Sequence, residues 1–90
     1  MQKFTDVNEL VNSLRPDYPV YCIRPESLKT STQFFKNNFP GKVLYAVKTN
    51  PNEEILKHII KNGIENFDTA SINEISLIKR LKPDAHIYFM

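Results

Sequence analysis

At 90 residues the chain makes one small domain at most, and a domain of that size buries only about 60 per cent of the surface its unfolded form exposes, so its core is thin. With 41% hydrophobic and 24% charged residues and no low-complexity stretch, the composition is that of a folded chain. The formal net charge is +2 and the lysines are scattered among acids. There is thus no basic stripe to follow a phosphate backbone, and nucleic acid is not the expected partner.

Cys22 is the single cysteine and has no internal partner. The segment from Met1 to Leu14 alternates polar with apolar residues where a signal peptide has an unbroken apolar run, so the expected compartment is the cytoplasm. No window approaches the roughly 20 apolar residues that span a bilayer, so no membrane span is expected.

In chain order, Val7, Leu10, Val11 and Leu14 fall at i, i+3, i+4 and i+7. The spacing predicts a short amphipathic helix with Thr5 as N-cap and Pro16 just past its end. Pro19 to Ile23 is a compact apolar run suited to a strand, which would make Cys22 a core residue. Pro25 sits where proline opens a helix, and that helix is expected to run to about Asn38. Phe34, Phe35 and Phe39 read as packing residues. Pro40-Gly41 breaks the chain.

Lys42 to Lys48 reads as a second strand, with Val43, Tyr45 and Val47 on one face and Leu44, Ala46 and Lys48 on the other. Asn50 as N-cap, Pro51 at the first position, Glu53 in the first turn and Gly63 as terminator mark the next helix. Its apolar stripe is Ile55, Leu56, Ile59 and Ile60, leaving Glu53, Lys57 and Lys61 for water. A third strand covers Asn66 to Ala70. Ser71 to Glu74 has the form of a capping box, Ile75, Ile78 and Leu81 continue the helix, and Pro83 stops it. His86 to Met90 opens a further strand.

From Lys42 onward the order is strand, helix, strand, helix, strand with short connections, the pattern of a parallel sheet. Such a sheet is covered by helices on both faces or closes into a barrel. Three strands do neither, so the expectation is a fold that is incomplete within these residues.

The chemistry concentrates in Tyr45-Ala46-Val47-Lys48-Thr49-Asn50-Pro51. If strand alternation holds through Lys48, its amine points to the side of Leu44 and Ala46, where burial would disfavour the ammonium form; a neutral amine is what bonding to an aldehyde requires. Ala46 leaves space there for a flat ring. On periodicity alone, an ammonium in water at the end of an edge strand is the plainer reading.

The motif from Tyr45 to Asn50 resembles the lysine motif of the ornithine, lysine, arginine and diaminopimelate decarboxylases, which share the alanine-racemase-like barrel and use pyridoxal 5′-phosphate. Phe67-Asp68-Thr69-Ala70-Ser71-Ile72-Asn73-Glu74-Ile75 resembles that family's second block, at the expected distance downstream. Two blocks in order are far more specific than one. The resemblance runs from Tyr18 onward and corresponds to roughly the first quarter of a family member.

What the resemblance implies is an α/β fold that is an incomplete (β/α)8 barrel. Residues 1–40 would be a lead-in of helix, strand and helix, and residues 41–90 the first βα units of the barrel. Lys48 would be catalytic and carry the cofactor, with Ala46, Asp68 and Glu74 near it. Asp68 would pair with a protonated nitrogen or with a residue further along the chain; a buried structural ion pair is its other reading. For Glu74 the capping box is explanation enough.

Phe67-Asp68-Thr69-Ala70-Ser71 is closer to the ornithine-type block than to the diaminopimelate type, which implies a diamine-forming decarboxylase in polyamine or diamine biosynthesis. The stretch after Thr49 lacks the run that marks alanine racemases. The resemblance also implies an amino-acid substrate and, for the full-length enzyme, a homodimer. The phosphate site, the acidic partner of the ring nitrogen and the substrate-reading residues would lie outside these 90 residues, so the isolated chain is expected to be inactive. A non-catalytic homologue that binds a partner, or a remnant without function, are the competing readings. His58 and His86 have no second ligand at metal spacing, and no metal site is expected.

Overall fold

The computed structural model describes residues 2–89. An aspartate opens the first helix: the Asp6 side chain accepts from the Glu9 backbone N–H at 2.8 Å, and Glu9 reaches back to accept from the Thr5 N–H at 2.6 Å. The N-cap of α1 (Val7–Leu14) is therefore Asp6 and not Thr5, because the carboxylate is the acceptor that lies within reach of the free amides of the first turn. The helix ends on Arg15 in the left-handed conformation.

The strand expected over Pro19 to Ile23 does not form; the segment is extended but unpaired. A strand satisfies its backbone groups by laddering with a neighbour, and here they face water, with Tyr21 101% exposed. Cys22 is exposed for the same reason and is not a core residue. Helix α2 (Pro25–Asn38) begins on its proline as expected, yet Thr32 is its one buried residue. Phe34, Phe35 and Phe39 are all more than half exposed, so they do not pack into the core; the rings of Phe34 and Phe35 meet edge to face at 5.8 Å.

Beyond Pro40 the elements pack. Strands β1 (Leu44–Ala46), β2 (Asn66–Thr69) and β3 (His86–Phe89) form one parallel sheet in the order β1-β2-β3. The last residue of the expected third barrel strand, Met90, lies outside the described residues. Between the strands run α3 (Glu53–Lys61) and α4 (Ile72–Leu81). The N-cap of α3 is Asn52, whose side chain accepts from the Glu54 and Ile55 N–H groups at 2.9 and 3.2 Å. Asn50 sits one step back, accepting from the Asn52 N–H. Pro51 thus precedes the cap, and the helix starts later than the sequence suggests.

The end of α3 is fixed by Gly63 at φ 104. Its N–H reaches the Ile60 carbonyl and the next N–H, of Ile64, reaches back to Ile59, the two bonds of a Schellman motif. Ile59 and Ile64 are both core residues, which supplies the apolar contact that accompanies the motif. Ser71 caps α4 by accepting from the Glu74 N–H at 3.1 Å.

Register divides the sheet into two unlike faces. The row Tyr45, Phe67, Ile87 faces the helices, with Phe67 fully buried in a core of Val47, Leu56, Ile59, Ile64, Phe67, Ile78 and Ala85. The rows Leu44, Asn66, His86 and Ala46, Asp68, Tyr88 lie on the opposite face, which no helix covers. The whole core lies between residues 47 and 85. The molecule exposes 6865 Å², against about 5,400 Å² for a compact monomer of this size. Its radius of gyration is 15.3 Å, where about 12 Å is usual. The excess belongs to the lead-in and the bare face.

Candidate functional site

Ligands of parallel α/β sheets bind beyond the carboxyl ends of the strands. At that end of β1 the chain stops being a strand. Val47 to Thr49 form a turn of 3₁₀ helix, braced by three hydrogen bonds. The Tyr45 hydroxyl donates to the Asn50 carbonyl at 2.9 Å, the Thr49 hydroxyl donates to the Ala46 carbonyl at 2.7 Å, and the Asn50 N–H donates to the Val47 carbonyl at 3.2 Å. Val47, 0% exposed, pins the turn to the core.

Lys48 rides on this turn. It is exposed and makes no hydrogen bond or ion pair with the other described residues. The expected placement by strand alternation, buried on the side of Leu44 and Ala46, is therefore incorrect: the 3₁₀ turn ends the period of two before the lysine is reached. The turn instead holds a free primary amine at a defined place in the chain.

Ala46 and Asp68 are brought side by side, as direct partners in the β1–β2 register. Both are half-buried on the bare face. The Asp68 carboxylate has no ion-pair partner among the described residues, so the buried-pair reading is not realised. Glu74 is occupied: its carboxylate accepts from the Ala70 N–H at 2.9 Å while its own N–H is held by Ser71. That is the capping box the sequence indicates, and it fixes the loop after β2.

Sequence reasoning missed three side chains here. Tyr45 and Thr49 act as braces for the turn, and a hydroxyl three residues after a carbonyl is the signal that points to Thr49. Tyr88 stands in the same row as Ala46 and Asp68, a placement that only the register reveals. The clearest charge effect lies elsewhere: Arg80 donates to Glu53 at 2.7 Å, joining α4 to α3, and this bond holds the Glu53 carboxyl below its ordinary range.

Two surface hollows among the described residues also lie elsewhere. One, of about 240 Å³, lies at the amino end of the sheet between Lys36, Lys42, Gly63 and Glu65, and the other lies on α2 around Ser27 and Ser31. The bare face is open and has no walls, so it forms no cavity. Among the described residues no cluster of His, Cys, Asp or Glu is placed to hold a metal, and no helix is long and apolar enough to cross a membrane.

The family model of the pyridoxal-dependent decarboxylase, pyridoxal binding domain, matches residues 25–89, nearly three quarters of the chain. The chain belongs to this family. Neither the curated proteins nor the solved structures contain a significant match. Membership makes pyridoxal 5′-phosphate the cofactor of this domain and agrees with the parallel sheet found here. The residues present fit its reactive end. A free amine on Lys48 suits the aldehyde, the methyl of Ala46 leaves room on the bare face, and the unpartnered Asp68 carboxylate suits a cationic nitrogen.

Proposed function

We propose that the protein is a pyridoxal-phosphate-dependent amino-acid decarboxylase of the ornithine/lysine type, acting in diamine or polyamine biosynthesis, with Lys48 as the residue that carries the cofactor. The observation that supports this most is an exposed, unpartnered amine on a braced turn at the carboxyl end of a parallel strand, inside the region the family model matches. The ornithine-type reading rests on the sequence Phe67-Asp68-Thr69-Ala70-Ser71.

In this reading residues 41–90 are the first βα units of a barrel and residues 1–40 are its lead-in. The free edges of β1 and β3 are where further strands join, and the bare face is the inside of the barrel. The full enzyme is a cytoplasmic homodimer. When bound, pyridoxal phosphate supplies an aldehyde for an amine and a pyridine ring that takes up the electrons released as a carboxylate departs.

The chain's own residues then have distinct tasks. Lys48 would hold the cofactor through its side-chain amine, which the turn leaves without a partner among the described residues. Tyr45 and Thr49 keep the turn from moving that amine. Asp68 presents a carboxylate to a protonated nitrogen, Ala46 gives way to the ring, and Glu74 holds the loop after β2 in place.

Spectral titration with pyridoxal phosphate tests this. Weak, saturable binding that Lys48→Ala abolishes is expected, together with no carbon dioxide release from ornithine, lysine or arginine by these 90 residues alone. Tight stoichiometric binding or turnover would show that the phosphate and substrate sites lie within residues 1–90 after all.

A further inference from the structure

Asn62-Gly63 is the one place in the sequence where glycine follows an asparagine. That pair carries a chemistry of its own. The backbone nitrogen after an asparagine can attack the asparagine side-chain carbon, and glycine, with no Cβ, leaves that nitrogen open to approach. Here the pair also stands at a mechanical junction, the turn that sends the chain from α3 into β2.

The fold holds the pair in a conformation from which the attack cannot proceed. Closing the succinimide ring requires the Gly63 nitrogen to lie alongside the Asn62 Cβ about the Cα–C bond. At ψ 4 it is instead eclipsed with the backbone nitrogen of Asn62 itself, so the peptide unit between the two residues has to turn first. That unit is gripped at both ends. The Gly63 N–H donates to the Ile60 carbonyl at 3.0 Å, and the Asn62 carbonyl accepts from the Gln33 side-chain amide of α2 at 3.4 Å. Rotation carries the N–H and the carbonyl together, so both bonds break when it occurs. The Asn62 side chain is half-buried and makes no hydrogen bond with the other described residues, so the leaving amide itself is not held.

We propose that Asn62 is a site of spontaneous deamidation, held closed in the folded chain by the Schellman turn and by Gln33 of α2. When the turn opens, the Gly63 nitrogen gives up its proton to hydroxide and bonds to Cγ of Asn62. The Cγ–Nδ2 bond breaks, and the departing nitrogen takes a proton from water to leave as ammonia. Water then opens the ring at either carbonyl, giving aspartate or isoaspartate. The change runs one way. A new carboxylate stands at the carboxyl end of α3, where the helix dipole is already negative, and isoaspartate adds a backbone carbon to the connection into β2.

The test is timed incubation of the full 90-residue chain at mildly alkaline pH, in buffer and in urea, with peptide mass spectrometry to follow each asparagine. In urea, Asn62 is expected to deamidate faster than every other asparagine. In buffer it is expected to be at least about tenfold slower than in urea, the suppression a local opening equilibrium imposes. Gln33→Ala, which removes one grip, should raise the rate in buffer about twofold, the effect of a weak hydrogen bond, and leave the rate in urea unchanged. Gly63→Ala separates the chemistry from stability: it loosens the turn, yet its Cβ crowds the attacking nitrogen, so the rate in urea should fall. No preference for Asn62 in urea would overturn the site. Equal rates at Asn62 in buffer and in urea would overturn its protection by the turn, and a Gln33→Ala rate in buffer equal to that of the unaltered chain would overturn the part given to α2.

Discussion

Helices α1 and α3 are both short and both amphipathic, yet they have opposite fates. In α1, Val7, Val11 and Leu14 remain 51%, 48% and 44% exposed. In α3, Leu56 and Ile59 are at 0% and 5%. The difference lies in where the chain goes next. After α3 the Gly63 turn sends it back as β2, which lies beneath the helix and takes its apolar stripe. After α1 comes an extended segment that joins no sheet, so most of its stripe stays uncovered and only Leu10 is half-buried. An apolar stripe specifies which side of a helix is sticky; the connection specifies whether it is covered.

Substitutions can break that contrast. Phe67→Ala removes the largest fully buried side chain from the middle strand, and a loss of about 3–5 kcal/mol is expected. In a core this small, that should abolish a cooperative thermal transition. Leu56→Ala should cost about 2–5 kcal/mol, whereas Val11→Ala should stay within about 0.5 kcal/mol of the unaltered chain. Thermal unfolding followed by circular dichroism compares the two. Equal losses would mean that the lead-in packs as tightly as the core.

The connection itself can be tested at Gly63. An added Cβ meets the Lys36 ammonium and the residue stands at φ 104, so Gly63→Ala is expected to cost about 1–2 kcal/mol. Most of this should come from the left-handed backbone, because the lysine end can move aside. A variant as stable as the original would mean that the turn has another geometry.

Caps sharpen the same comparison at lower amplitude. Ser71→Ala removes the acceptor that holds the Glu74 N–H, and about 1 kcal/mol of global stability should go with it. Asp6→Ala removes an equivalent acceptor from α1, but should reduce only local helicity, visible in amide exchange and not in the melting temperature. The smallest effect is a pH dependence. Arg80 keeps the Glu53 carboxyl below its ordinary value of 4.5, so their bond contributes above that pH and is lost as pH falls through the lowered value. Arg80→Ala should therefore destabilise slightly near neutrality, and the difference from the unaltered chain should close in acid.

The parts of this fold that can be read from sequence are those with local punctuation. Pro25 opens α2, Gly63 closes α3, and Ser71 with Glu74 opens α4, each through a group that acts within a few residues. Where two signals compete, reading is harder: Asn50 and Asn52 flank Pro51, and the preference of proline for the first helical position favours the wrong asparagine. The lead-in strand and the phenylalanines of α2 fail for a different reason, since apolar character names no partner.

The candidate site divides in the same way. The run from Tyr45 to Asn50 locates Lys48 without any structure. Alternation, though, continues the strand through a residue that belongs to a 3₁₀ turn, because nothing apolar or polar in the pattern marks the change. The row of Ala46, Asp68 and Tyr88 depends on register between strands joined by helices. Parallel register is set by the lengths and packing of those helices, and not by any motif within the strands.

That Lys48 is the attachment point for pyridoxal phosphate is tested most directly by reducing the mixture of chain and cofactor with borohydride and identifying the modified lysine by mass spectrometry. The expected result is modification concentrated on the peptide that contains Lys48, and its disappearance in Lys48→Ala while the other lysines are unaffected. Labelling spread evenly over Lys48, Lys57 and Lys61, all exposed, would contradict it.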